Sequence, residues 1–340
     1  MTIWFLLLGV ALASMALTYG LRRYALGRCL MDIPNARSSH SVPTPRGGGV
    51  AIVASFLVTL PLLAAMGIMT WSFAGALLGA GVFVALVGFL DDHGHIAARW
   101  RLLAHFVAAA WALVWLGGAP PIALFGASYN LGWVGVGLAA VYLVWLLNLY
   151  NFMDGIDGIA SVEAISVCIG GAILYGLIGQ FAAATVLLML AGAVTGFLCW
   201  NFPPAKIFMG DAGSGFLGIV LGVLSLEAGW MAPELFWSWV ILLGIFVTDA
   251  TLTLLRRLLR GDKVYEAHRS HAYQYASRHF GRHLPVTLAV GAINVIWLLP
   301  IALGVGVGWL DGTVGMVVAY VPLVALAIRF HAGALESGGA

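Results

Sequence analysis

The sequence predicts an all-α, polytopic integral membrane protein with about eleven transmembrane helices. Three observations carry that expectation. Hydrophobic residues fill 62% of the 340 positions and charged residues 9%, where soluble proteins use roughly 45–50% and 25%. The apolar residues gather in continuous runs near the ~20 residues that a bilayer core requires. All 16 Lys and Arg residues fall at alternate ends of those runs. Continuous runs lack the alternation of barrel strands, so helices are expected. Disorder is excluded by the same composition.

The first run, 3–20, has its arginines after it, the reverse of a cleaved signal peptide, so a retained span is expected. Runs at 47–67, 71–90, 102–118, 131–150 and 159–178 follow, then 181–199, 213–229, 235–254, 286–308 and 311–329. Loops 21–46, 91–101, 151–158, 200–212 and 255–285, with the adjoining helix ends and the tail, hold every Lys and Arg. The loops near 68–70, 119–130, 179–180, 230–234 and 309–310 hold none. The positive-inside bias makes the first set cytoplasmic, with the N-terminus outside and the C-terminus inside. Residues 1–340 then form one membrane domain whose chemistry must be assembled from short cytoplasmic loops. Cys29, Cys168 and Cys199 have neither zinc-ligand spacing nor a disulfide framework.

Polar residues cluster in five places along that face. Asp32 to His40 precedes Arg46 and three glycines, Gly47 to Gly49. The glycines suit backbone approach to an anion, and equally a plain turn in which Arg37 and Arg46 mark the inside. Asp91 and Asp92 end the third span, where the helix dipole disfavours acids, so a bound cation or a pairing with Arg99 or Arg101 is expected. Asn151, Asp154 and Asp157 recur every three residues beside Gly155 and Gly158, offering hard oxygen donors suited to Mg²⁺ or Mn²⁺. A solvated turn is the bland alternative. Asn201, Lys206, Phe208 and Asp211 lead into a glycine-containing helix start with Ser214, where Asp211 is a metal ligand or a simple cap. The fifth loop carries Glu266, His268, Arg269 and His271, a cationic surface for phosphates or anionic lipid. Two histidines without a nearby cysteine make a weak zinc set. Asp249, inside a span, is either functional or paired with Arg256.

Taken together, these clusters resemble the polyprenyl-phosphate N-acetylhexosamine-1-phosphate transferases, bacterial glycosyltransferase family 4. The likeness runs from Asp32 to His271, with Asn148–Gly158 and Phe208–Ser214 its most specific pieces. It implies transfer of a sugar-1-phosphate from a UDP-N-acetylhexosamine to undecaprenyl phosphate, releasing UMP, with Mg²⁺ or Mn²⁺, at the cytoplasmic face of the bacterial inner membrane. By that resemblance Asp211 and Asn151 are metal ligands, and Asp91, Asp92, Asp154 and His271 are catalytic. Asp157, Asn201, Phe208 and Arg269 bind substrate. No nucleic acid partner is implied, and a homodimer is left open.

The chain lacks the three adjacent histidines of the muramoyl-pentapeptide transferase, and carries Tyr273 and Gln274 where many N-acetylglucosamine-1-phosphate transferases have histidines. That resembles an O-antigen-initiating branch with a 6-deoxy donor such as UDP-FucNAc or UDP-QuiNAc, Tyr273 offering apolar surface to the 6-methyl group. A UDP-GlcNAc-specific transferase is the alternative. A secondary transporter is disfavoured, because such proteins place polar sites near the midplane.

Overall fold

The computed structural model describes residues 2–28, 30–34, 39–94, 96–263 and 268–335. Cys29, Arg37 and Glu266 lie outside them. The first half comprises α1 (Thr2–Gly27), α2 (Val50–Ala65), α3 (Trp71–His93), α4 (Ala98–Leu116), α5 (Gly132–Met153) and α6 (Ile159–Leu177). The second comprises α7 (Phe181–Asn201), α8 (Asp211–Met231), α9 (Pro233–Leu242), α10 (Gly244–Leu259) and α11 (Ala272–Phe280). It closes with α12 (Leu284–Ile293), a π-helical turn at Asn294–Leu298, α13 (Leu299–Gly306) and α14 (Gly312–Arg329). Two small antiparallel ribbons join them: β1 (Met31–Asp32) with β2 (Thr44–Pro45), and β3 (Ile122–Leu124) with β4 (Ala127–Tyr129).

Each expected apolar run coincides with a helix or a helix pair. By length and composition, eight helical stretches among the described residues can cross a membrane, or nine with the bent pair α9–α10 taken as one span. Two expected spans stand outside that number: α2 has 16 residues, and α4 opens on Arg99 and Arg101. The run expected as one helix at 235–254 is instead broken between Leu242 and Gly244, its halves meeting at 73°. Glycine weakens a helix by about 1 kcal/mol relative to alanine. Nearby, Glu163 of α6, fully buried, accepts from Asn294 Nδ2 of the π-helical turn at 2.6 Å.

At the centre stands α8, of which 94% of the most apolar stretch is buried. It packs on α3, α5 and α9. Its glycines permit the contact: a Cβ at Gly218 would lie 2.6 Å from Leu147 Cα of α5. On the facing helix, a Cβ at Gly88 would lie 2.6 Å from the Ala212 nitrogen. The end of α3 is thereby pressed against the first turn of α8, which brings the acidic pair to the phosphate-type helix start.

Candidate active site

Four chain segments meet at this end of the bundle, and each is held by side chains from another. Asp92, 3% exposed at its side chain, ends α3 and caps α8 from outside the helix. Its Oδ1 accepts from the Asp211 N–H at 3.2 Å and its Oδ2 from the Ala212 N–H at 3.4 Å. Arg46 donates to the same carboxylate. The penalty noted in the sequence, an acid at a helix C-terminus, is thus offset by the N-terminus of a different helix. Asp91 accepts from the Ile96 N–H at 2.8 Å and from Arg101, which also lies 3.6 Å from Asp211. The expected pairing with Arg101 is present at Asp91, while Asp92 pairs with Arg46.

The turn after α5 is held in the same manner. Asn201, 3% exposed, accepts from the Gly158 N–H and donates to the Ile207 carbonyl, both at 3.0 Å. Asp157 Oδ2 accepts from the Ala205 N–H at 3.0 Å, and its Oδ1 lies 3.1 Å from His283 Nδ1. Burial alone would lower the His283 imidazole, but Asp157 and the Ser39 carbonyl outweigh it and hold it above its ordinary range. Asn151 Oδ1 accepts from Ser214 Oγ at 2.9 Å, leaving a second lone pair on that oxygen. Burial, and then the charges of Asp211, Asp92 and Asp157, push the Asp154 carboxyl well above the usual carboxylate range. The local field is strongly negative.

These segments enclose a cavity of about 230 Å³. Asn151, Asp154, Asp157, Asn201, Phe208 and Asp211 line it, joined by His40 and Arg46 of the first polar cluster, by Gln274, and by His283, which the motif reading did not single out. Phe208 meets His40 edge-on with ring centroids 4.8 Å apart. Asp91, Asp92, Arg269 and His271 do not line the cavity. Two of them are engaged elsewhere in the fold. Asp92 is consumed as a cap. His271, 2% exposed, is buried against Asp249, with Nδ1 3.2 Å from Asp249 Oδ1.

Asp249 caps α11 as Asp92 caps α8, accepting from the Ala272 and Tyr273 N–H groups at 2.9 and 3.0 Å. Its partner is therefore His271, and Arg256 instead donates to the Ala332 carbonyl. Tyr273 is corrected as well. Its ring is 4% exposed, and its hydroxyl donates to the Phe152 carbonyl at 2.9 Å, bracing the α5 turn from behind. Its neighbour Gln274 does reach the cavity wall.

No trio of His, Cys, Asp and Glu among the described residues could enclose a metal ion by itself. The oxygens of Asp211, Asp154 and Asn151 do fit a hard divalent cation that takes its remaining ligands from phosphate and water, as Mg²⁺ ordinarily does.

The cavity lies at one end of an apolar helix bundle whose helices are long enough to cross a membrane, the architecture of a polytopic membrane protein. The model of the family described as glycosyl transferase family 4 matches residues 74–229. That stretch contains every acid and amide of the cavity from Asn151 to Asp211. Among relatives, a probable undecaprenyl-phosphate N-acetylglucosaminyl 1-phosphate transferase of Bacillus subtilis is 28% identical over 269 residues, 77% of this chain and 74% of its own length. A phospho-N-acetylmuramoyl-pentapeptide-transferase of Moorella thermoacetica is 33% identical over 227 residues, 61% and 68% of the two chains. A decaprenyl-phosphate N-acetylglucosaminephosphotransferase of Mycobacterium tuberculosis is 30% identical over 223 residues, 57% and 52% of the two. The chain belongs to glycosyl transferase family 4, and it is a membrane phosphoglycosyltransferase.

Proposed function

We propose that the protein transfers an N-acetylhexosamine-1-phosphate from a UDP-sugar to undecaprenyl phosphate, releasing UMP. The observation that carries this reading is the cavity itself. Asp154, Asp211 and Asn151 face the space that Arg46 and Phe208 also line, so divalent-metal ligands, an anion partner and an aromatic platform share one small volume. In the reaction the lipid phosphate oxygen attacks the β-phosphorus, and the bond to the UMP oxygen breaks. The anomeric C–O bond is untouched and configuration is retained. The main obstacle is repulsion between phosphates. Arg46 offers positive charge at the cavity, Phe208 a face for the uracil, and Asn151 with Asp211 oxygens for the metal. Bound Mg²⁺ or Mn²⁺ would neutralise phosphoryl charge as it develops.

The remaining expected residues act around this centre. Asp157 and Asn201 shape the turn that carries Asp154, while Asp91 and Asp92 hold Arg101, Arg46 and the start of α8. Arg269 stands two residues before His271, whose N–H donates to Gln274 Oε1 at 3.3 Å. We place the cavity at the cytoplasmic face of the inner membrane, with eleven crossings and the N-terminus outside, on the one-sided distribution of Lys and Arg. An O-antigen-initiating role with a 6-deoxy donor keeps Gln274 as its support but loses Tyr273, which is sequestered. That favours the second reading, UDP-N-acetylglucosamine as donor, as the names of the Bacillus and Mycobacterium relatives also suggest.

Purified protein with undecaprenyl phosphate, Mg²⁺ and each UDP-N-acetylhexosamine in turn tests the proposal, with UMP release and mass spectrometry of the lipid product as readouts. Asp211→Ala should abolish turnover while leaving the protein folded. No UMP from any donor, or near-normal turnover by the variant at limiting Mg²⁺, overturns it.

A further inference from the structure

We infer that His283 is a positioning residue that ties the 39–46 segment to the catalytic turn and so sets the shape of the donor side of the cavity. It rests on the donor reading above for its kinetic consequence, though not for its structural one. The imidazole stands just before α12 and reaches two elements at once. Its Nε2–H donates to the Ser39 carbonyl at 2.9 Å, and Nδ1 lies 3.1 Å from Asp157 Oδ1. One turn further along α12, Thr287 Oγ1 donates to the Asp157 carbonyl at 2.8 Å. The same Asp157 holds the 202–210 loop through the Ala205 N–H. Three separate stretches of chain therefore converge on one ring and one carboxylate.

What hangs on that tie is unevenly supported. The far end of the segment is pinned by backbone bonds: the Phe208 N–H donates to the Pro45 carbonyl and the Gly48 N–H to the Phe208 carbonyl, at 2.8 and 2.9 Å. The near end is held at Ser39 by His283, while Ser41 and Val42 are exposed. Between them lie His40, which meets Phe208, and Arg46, which pairs with Asp92. His283 also stands in the wall shared with a second, more open cavity of about 440 Å³, lined by Thr44, Pro203 and Arg282 among others. Without the bonds of the imidazole, His40 and the Phe208 face lose their fixed spacing. Nδ1 also lies within reach of the Asp157 N–H, which donates to it at 3.3 Å in the neutral tautomer, so the ring meets both the backbone and the side chain of that residue while its far end holds Ser39.

The test compares wild type with His283→Phe, which keeps the ring and removes both bonds, and His283→Gln, which keeps one donor. Hydrogen exchange of residues 39–46 is measured alongside KM for the UDP-sugar, KM for undecaprenyl phosphate and kcat. For His283→Phe, exchange at 39–46 should accelerate about tenfold, and donor KM rise about tenfold, the scale of one lost charge-assisted hydrogen bond. Exchange in α8 and KM for the lipid phosphate should stay within about twofold, the margin of a surface substitution. His283→Gln should recover part of both effects. Unchanged exchange at 39–46 in both variants overturns the inference, and so does an equal loss of affinity for the two substrates. The exchange arm needs no substrate, so wild type inactive with every UDP-sugar sinks the donor reading and still leaves the tie judged. If His283→Phe does not fold, His283→Gln is held to the same criteria.

Discussion

Replacing Asp92 separates scaffolding from chemistry, because its carboxylate touches three partners and no cavity. Asp92→Ala removes the acceptor of the Asp211 and Ala212 N–H groups, and loss of such a cap costs about 1 kcal/mol. It also strands Arg46. That side chain is 35% exposed, so it rehydrates, and its loss should lie well below the ~3–5 kcal/mol of a fully buried broken pair. A total near 2–3 kcal/mol follows from those two contributions. Asp92→Asn keeps one carbonyl acceptor and should lose about half as much. Unfolding of a detergent-solubilised membrane protein is often irreversible, so apparent melting temperatures are compared at one scan rate. The kinetic effect should exceed the thermal one. Asp211 is the first residue of α8, and a displacement of about 1 Å can cost on the order of 10²-fold in rate. The expected order of kcat is wild type, Asp92→Asn, then Asp92→Ala, with Arg46→Ala raising donor KM while the cap and the melting temperature largely survive. Wild-type melting and turnover in Asp92→Ala would refute the trans-capping argument.

Gly88→Ala should force α3 from α8, since the new methyl meets backbone rather than a movable side chain; overpacking of about 1–3 kcal/mol and loss of UMP release are expected, with Gly9→Ala, which meets nothing within 4 Å, as the neutral control. His268 is held down to about 3 by burial and then by His271 and Arg257, so the folded state binds its proton more weakly than the unfolded chain, whose imidazole titrates near ~6.5. The stability associated with neutral His268 is therefore complete above that value and is lost as pH falls toward 3; His268→Gln should flatten the decline, and an unchanged stability profile would count against the burial argument. For topology, a cysteine at Gly126 should react with an impermeant reagent from outside and one at Lys263 from inside, in a background lacking the exposed Cys199. Reaction of Gly126→Cys from the inside would reverse the proposed orientation.

Hydropathy located the helices because lipid exposure demands apolar side chains wherever they fall in the fold. It could not show the bend at Gly244, since the apolar run from Leu235 to Val247 passes through that glycine without a charged residue. The acids of the cavity were legible because Asp154, Asp157 and Asp211 sit at helix ends near glycines, where local chemistry is visible in a short window. Their supports were not. Asp92 to α8 and Asp249 to α11 each join residues remote in sequence, and a buried acid aimed at another helix's N–H groups leaves no local pattern. His283 follows Gly281 and Arg282 as an ordinary turn residue would. Tyr273 was misread for the opposite reason: its position in a substrate-side loop suggested exposure, while the structure turns its ring inward and leaves Gln274 at the wall.

The near-complete enclosure of α8 bears on how the protein is made. In the membrane, helices insert first and then associate through close packing rather than through expulsion of water. A helix with almost no lipid-facing surface gains little from the bilayer alone, and its Gly218 contact to α5 and its first turn against Gly88 of α3 exist only once those partners are in place. Both partners precede it in the chain. The two walls of its slot are therefore synthesised before the helix that fills it, and the cap from Asp92 on the first turn of α8 exists only once α3 and α8 have met.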